Sequence, residues 1–227
     1  MTDLILTKKI LFWYDNNKRV LPWRKKISQT KREYYTLVSE FMLQQTQVAT
    51  VIPYFNKFTR DIPSMSSLAK INEGKLLKYW EGLGYYSRVE NLKKTAQIVI
   101  KNFKGRLPNT IDQLKSLPGV GDYTANAIMA IAFNKPFIPL DGNIERFIKR
   151  FLNLKSAKET NKENLIKQKK ILGTSVRSSD YAQALMELGA LICKPKKPLC
   201  IKCPVIKNCK SFKRNDFEII KKNQKNI

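Results

Sequence analysis

The sequence predicts an all-α protein. Apolar residues recur at spacings of three, four and seven, no segment alternates apolar and polar residues as a half-buried strand does, and helix-start signals precede the periodic runs. A length of 227 residues, 43% of them hydrophobic, supports a real core in one domain or two small ones.

The elements follow in order. Leu37, Val38, Phe41, Met42, Val48 and Ala49 mark a first helical face, which Pro53 is expected to end. Val89, Leu92, Ala96, Val99, Ile100 and Phe103 mark a second, with Ser87 and Glu90 as a capping box at its start. Thr110 with Gln113 repeats that signal before Leu114 and Leu117. Leu117-Pro118-Gly119-Val120-Gly121 then forms a tight turn with exposed amides, and a helix is expected from near Asp122. Such a turn suits a phosphate oxygen through N–H groups and the helix dipole. This is a helix-hairpin-helix pattern, which grips nucleic-acid backbone without reading bases; the competing reading is an ordinary helix–helix turn. Asp141-Gly142-Asn143 turns into a helix from Ile144, with Asp141 as its cap. The tail after Cys209 is polar and charged and expected to be mobile. There is no internal repeat and no low-complexity segment.

Lys and Arg total 43 against 18 Asp and Glu, a formal charge of +25. That points to a polyanion, nucleic acid first, rather than to a merely lysine-rich solvated surface. Histidine is absent, which removes Ser-His-Asp and Cys-His catalysis, imidazole bases and His-ligated zinc. No stretch is apolar enough to span a membrane. Met1 to Arg24 lacks the pattern of a secretory signal. The expectation is therefore a cytoplasmic protein, nucleoid-associated in a bacterium, with reduced cysteines.

Cys193, Cys200, Cys203 and Cys209 lie within 17 residues, spaced C-x6-C-x2-C-x5-C. Four thiolates from one short loop can close around a metal centre. Zinc knuckles bring two tight pairs, whereas one tight pair with wide outer gaps suits the corners of a [4Fe–4S] cubane better. Lys194, Lys196, Lys197, Lys202, Lys207 and Lys210 crowd the same loop. They can offset the cluster's negative charge, grip phosphate, or do both.

Hairpin, Asp141 and cysteine spacing together resemble the helix-hairpin-helix (HhH-GPD) DNA glycosylase superfamily, from about Leu11 to Cys209. Within it, several stretches in order resemble the MutY-type adenine glycosylases. They are Leu21-Pro22-Trp23-Arg24, Ser39-Glu40-Phe41-Met42-Leu43-Gln44-Gln45-Thr46-Gln47-Val48, Gly82-Leu83-Gly84-Tyr85-Tyr86-Ser87-Arg88, Leu140-Asp141-Gly142-Asn143 and Ala184-Leu185-Met186-Glu187-Leu188-Gly189.

The resemblance implies a two-lobed helical body. A six-helix bundle over 28–137 carries the hairpin; 1–27 with 138–209 form a second lobe holding the cluster loop, 193–209; and 210–227 are a basic tail. It implies a monomer acting on double-stranded DNA that contains a mispaired adenine. Removing a purine needs an acid for the leaving base and a carboxylate for the cation-like sugar. Glu40 matches the acid, and burial in its apolar run is expected to raise its pKa. Asp141 matches the carboxylate that stabilises the oxocarbenium ion. Arg24, Asn143 and Glu187 match the base pocket, and Gln44, Gln45 and Tyr85 match residues that wedge into the stack as the base flips out. For Tyr85 and Trp23 the competing reading is plain core packing. Tyr123 stands where endonuclease III-like lyases carry an attacking lysine, so little strand cleavage is expected.

The pattern departs from the resemblance at one place. MutY-type enzymes continue into a domain that recognises 8-oxoguanine, and 18 residues follow Cys209 here. The expectation is excision of adenine mispaired with guanine or 8-oxoguanine, with the preference for 8-oxoguanine in doubt. Short thymine-mismatch glycosylases share the hairpin, tyrosine, aspartate and cluster, and T·G or U·G excision is the alternative. A non-catalytic DNA-binding module and a lyase come third and fourth, opposed by the Glu40–Asp141 pair and by Tyr123.

Overall fold

The structure, a computed structural model, describes residues 2–215, with side chains from Ile5 onward. The described residues are helical and contain no strand. The chain divides into two compact units, one of residues 20–135 and one that joins the chain up to Arg19 with the chain from Pro136.

Helix α1 (Thr2–Asn17) belongs to the discontinuous unit. The continuous unit holds α2 (Gln29–Leu43), α3 (Val48–Asp61), α4 (Met65–Lys70), α5 (Glu73–Trp80), α6 (Ser87–Phe103), α7 (Ile111–Lys115) and α8 (Asp122–Ile131). Polar caps start several of them. The Ser28, Ser64 and Asn72 side chains accept from backbone amides three residues on, satisfying donors that a helix start leaves open. The apolar faces of α2, α3 and α6 are buried at Leu37, Phe41, Phe55, Phe58, Leu92 and Val99. Trp23, in the short turn Pro22–Arg24, packs edge-on against Phe55 at 5.3 Å. That contact ties the 20–27 stretch to this unit. The sequence drew the boundaries of the bundle at 28 and 137.

Several local expectations are corrected. Leu37 to Ala49 is not one helix face: the chain leaves α2 at Gln44, Gln45 takes a left-handed φ of 56°, and α3 begins at Val48. Pro53 lies inside α3 and does not end it; the lost N–H costs one bond, and burial of Val51, Phe55 and Phe58 carries the helix through. Ser87 is the first helical residue of α6 rather than its cap, which is Tyr86 with no side-chain bond. At α7, Thr110 bonds the Gln113 side chain (3.0 Å) rather than a backbone amide. Ile100 and Ala49 face solvent.

The discontinuous unit continues with α9 (Gly142–Leu152), α10 (Ala157–Thr160), α11 (Lys162–Gln168), α12 (Ser178–Glu187) and α13 (Lys210–Lys213). Its core joins Leu6, Ile10 and Tyr14 of α1 to Ile144, Ile148 and Phe151 of α9 and Tyr181, Leu185 and Leu188 near α12, with Cys193, Cys203 and Cys209 packed against it. A π-helical turn, Leu188–Ile192, leads from α12 into the cysteine loop. Of the expected basic tail, 210–215 are described and 216–227 lie outside the described residues.

Candidate functional site

In the continuous unit the hairpin between α7 and α8 is built as its sequence requires. Val120 N–H donates to Leu117 O (3.1 Å), and Gly119 takes φ +76°. A Cβ at Gly119 would stand 2.8 Å from the Phe41 ring, so only glycine fits. Leu117 and Val120 are buried, Pro118 is half-buried, and Gly119 and Gly121 are exposed. Gly121 is the N-cap of α8 and, as glycine, contributes no side-chain acceptor to its first turn. Thr95 Oγ1 donates to Pro118 O (2.9 Å) and Gln44 Nε2 to Gly119 O (3.4 Å), fixing the turn from behind.

Glu40 is 5% exposed on α2, one residue before Phe41. Tyr123 is half-buried in the first turn of α8, and Arg24 is half-buried at the end of its short turn. Gln44 is half-buried, Gln45 exposed, and Tyr85 is 64% exposed with a left-handed φ of 49°.

Sequence reasoning missed the residue that organises these loops. Arg88, 6% exposed, donates from Nη1 to Phe41 O (3.3 Å), Met42 O (3.0 Å), Gln44 O and Thr46 Oγ1 (3.1 Å). From Nη2 it donates to Leu83 O (2.8 Å) and Gly84 O (3.0 Å). Its guanidinium lies over the Trp80 and Tyr85 rings, 5.4 Å from each centroid. Burial pushes its pKa down, yet an arginine stays charged at neutral pH. The available signal was a charge in register with the buried face of α6: Arg88, Leu92, Thr95 and Val99 are all buried.

In the discontinuous unit Asp141 is the N-cap of α9. Its Oδ1 accepts from Ile144 N–H (2.7 Å) and its Oδ2 from Asn143 Nδ2 (2.8 Å). Burial pushes the Asp141 carboxyl above its ordinary value, against the pull of those bonds and of the Arg146 charge. Arg146 links this turn to the cysteine loop: it donates to Asn143 Oδ1 (2.8 Å), Gly189 O (2.7 Å) and Cys193 O (2.8 Å). A Cβ on Gly189 would fall 2.6 Å from Asn143 Cβ, so glycine lets the π-turn sit against the capping turn. Glu187 is fully buried, and Arg19 Nε and Nη2 hold its carboxylate at 2.8–3.0 Å. Glu40 lies in one unit and Asp141 in the other.

Cys193, Cys200, Cys203 and Cys209 line one pocket with Phe147, Phe151, Ile192, Ile206, Phe212 and Arg150. Short turns set them: Cys203 N–H donates to Cys200 O (2.9 Å) and Cys209 N–H to Ile206 O (3.0 Å). Buried Arg150 donates to Cys193 Sγ (3.5 Å), Lys194 O and Pro195 O, while its Nε has no partner. Burial and the neighbouring sulfurs push Cys200 and Cys203 up, Cys203 to about 12. Four soft sulfur donors gathered in one apolar pocket are a donor set suited to a metal centre. Among the described residues no group of three or more His, Cys, Asp or Glu is placed to hold a metal ion. The four cysteines line their pocket with the Phe147, Phe151 and Phe212 rings, an all-thiolate set in apolar surroundings of the kind that iron–sulfur clusters use.

Residues 38–170 match the model of the HhH-GPD superfamily of base excision DNA repair proteins, and the chain belongs to that superfamily. It is 40% identical over 230 residues to the adenine DNA glycosylase of Buchnera aphidicola subsp. Baizongia pistaciae, covering all of this chain and 64% of that protein. It is 40% identical over 214 residues to the adenine DNA glycosylase of Rattus norvegicus, covering 91% of this chain and 42% of the rat protein. The chain thus spans about two thirds or less of the length of these relatives. Its structure is similar to that of a thermostable thymine-DNA glycosylase, with a TM-score of 0.80 at 27% identity, covering 94% of this chain and 97% of the other. No helix among the described residues is long and apolar enough to cross a membrane.

Proposed function

We propose that the chain is a monofunctional DNA glycosylase that removes adenine mispaired with guanine or 8-oxoguanine. The observation that carries the reading is 40% identity to an adenine DNA glycosylase sustained along the whole chain. The hairpin, with its left-handed Gly119 and the α8 N-terminus behind it, holds the backbone of double-stranded DNA through Leu117–Gly121. The target leaves the stack before chemistry, because its glycosidic bond is inaccessible inside the duplex. Gln44, Gln45 and Tyr85 fill the space behind it, and Arg24, Asn143 and Glu187 shape the base pocket.

Glu40, buried on α2, donates a proton to the departing base, which turns a poor anionic leaving group into a neutral one. Asp141 faces the sugar as an anion and stabilises the positive charge that grows there. The Ile144 amide and Asn143 keep that carboxylate ionised against the effect of its burial. Tyr123 offers no amine, so no Schiff base forms and the strand stays intact. Cys193, Cys200, Cys203 and Cys209 would hold a [4Fe–4S] cluster, and Cys193, Cys203 and Cys209 pack against the core of their unit.

A second reading, thymine or uracil removal from T·G and U·G, is favoured by the structural likeness to a thymine-DNA glycosylase. One experiment separates them: single-turnover excision from A·8-oxoguanine, A·G, T·G and U·G duplexes, with products split with and without alkali. Adenine loss revealed only by alkali is the expected result. Thymine or uracil loss would replace the proposal with the second reading, and cleavage without alkali would overturn the monofunctional assignment.

A further inference from the structure

We propose that Arg88 is a positioning residue that pre-forms the wedge used to extrude the target base. The proposal rests on the reading of Gln45 and Tyr85 as stack-filling residues, and it goes beyond that reading by naming what holds them ready. Both residues have exposed side chains, and both take left-handed backbone conformations, φ 56° and 49°, without being glycine. Such conformations persist only where the surroundings over-determine them. Gln45 follows the end of α2, and Tyr85 precedes the start of α6.

One guanidinium fastens both. Nη1 takes acceptors from residues 41–46 and Nη2 takes Leu83 O and Gly84 O, so the planar fork spans the two loops. Trp80 Nε1 adds a bond to Gly84 O (3.1 Å), and the Tyr85 ring rests on the guanidinium. These hydrogen bonds of Arg88 all go to carbonyls or a hydroxyl. Its charge is therefore spent on loop carbonyls, as a clamp requires and an ion pair does not. Lysine keeps the charge but not the fork.

The test is single-turnover excision by Arg88→Lys, at saturating enzyme, from two substrates. One is a duplex whose target must be extruded from the stack; the other carries the same target unpaired in a one-base bulge. Unstacking costs a few kcal/mol in the first and little in the second, so the variant should lose about 10–100-fold on the duplex and under about 3-fold on the bulge. Equal losses on both would overturn the proposal, because a merely structural role weakens both alike. Thr46→Val removes one Arg88 acceptor, together with the Thr46 Oγ1 bond to Gln44 O (3.3 Å), and should show the same asymmetry at about 3-fold; if Arg88→Lys fails to fold, equal Thr46→Val losses on the two substrates, each against wild type, overturn the proposal.

The assay uses whichever base the wild type removes, so a thymine-specific enzyme would refute the adenine reading and still test the clamp. If the wild type removes no base at all, 2-aminopurine at the target position reads extrusion on binding without chemistry. A fluorescence rise that Arg88→Lys reduces supports the clamp. An unchanged rise in the variant, or no rise with the wild type, overturns it.

Discussion

At the residue scale the two carboxylates are set apart by their surroundings. Glu40 is buried on α2 beside Phe41 and Met42, whereas Asp141 caps α9 and receives two directed hydrogen bonds. Glu40→Gln is expected to lower single-turnover excision by about 10²–10⁴-fold while duplex binding stays near wild type; rapid-quench kinetics with anisotropy titrations checks both halves. In the proposed mechanism Asp141 works as an anion, and burial raises its pKa above the ordinary 3.8. Activity should therefore fall as pH drops through that raised value. Asn143→Ala removes a bond to the charged form, which raises the pKa further and moves the acid limb of the rate profile to higher pH. A limb that stays put, or moves down, would remove Asn143 from the support of Asp141.

At the element scale, stability rests on a few sites where one residue type fits. Gly119→Ala adds a Cβ 2.8 Å from Phe41 at a backbone φ of +76°, and should cost about 1–3 kcal/mol. Denaturant unfolding measures that cost, and a weakened affinity for duplex should accompany it. Glu33, buried on α2, accepts from Arg106 Nε (3.0 Å) and from Leu107 N–H (3.0 Å). Glu33→Ala strands both donors, and the loss should be about 2–4 kcal/mol in the same unfolding experiment, eased by the half-exposed Arg106 side chain.

These elements also show what was legible in the sequence. The helical class followed from apolar spacing, and the α8 start at Asp122 followed from two glycines and a proline. The break at Gln44 did not, because the apolar period runs on through Val48 and Ala49 while Arg88, over forty residues away, holds the carbonyls that end α2. Pro53 misled for the same reason: tertiary burial outweighed a local breaker. Arg19, Arg146 and Arg150 were illegible as site residues, since a basic chain hides structural arginines among surface ones. Only burial and directed bonds to Glu187, Asn143 and the Cys193–Pro195 carbonyls single them out.

At the scale of the whole molecule, cysteine loop and net charge make separable demands. The loop packs against the core of the discontinuous unit at Cys193, Cys203 and Cys209, so Cys203→Ser should cost the cluster and much of that unit's stability together. Loss of an absorbance band near about 400 nm, in step with a lowered unfolding midpoint, checks it. Charge acts differently. A chain of formal charge +25 that held DNA by its backbone, as proposed, would displace counterions with every phosphate it neutralised. Log affinity should then fall linearly with log salt, with a loss of about 10³–10⁵-fold between roughly 50 and 200 mM for six to ten contacts. Anisotropy titrations of matched and mismatched duplexes across that range measure the slope. Equal slopes with offset intercepts would place discrimination in the extruded base and its wedge, since phosphate contacts carry no sequence information. A shallow slope would mean that the lysines are largely a solvated surface, leaving the hairpin and the wedge loops as the main grip on the duplex.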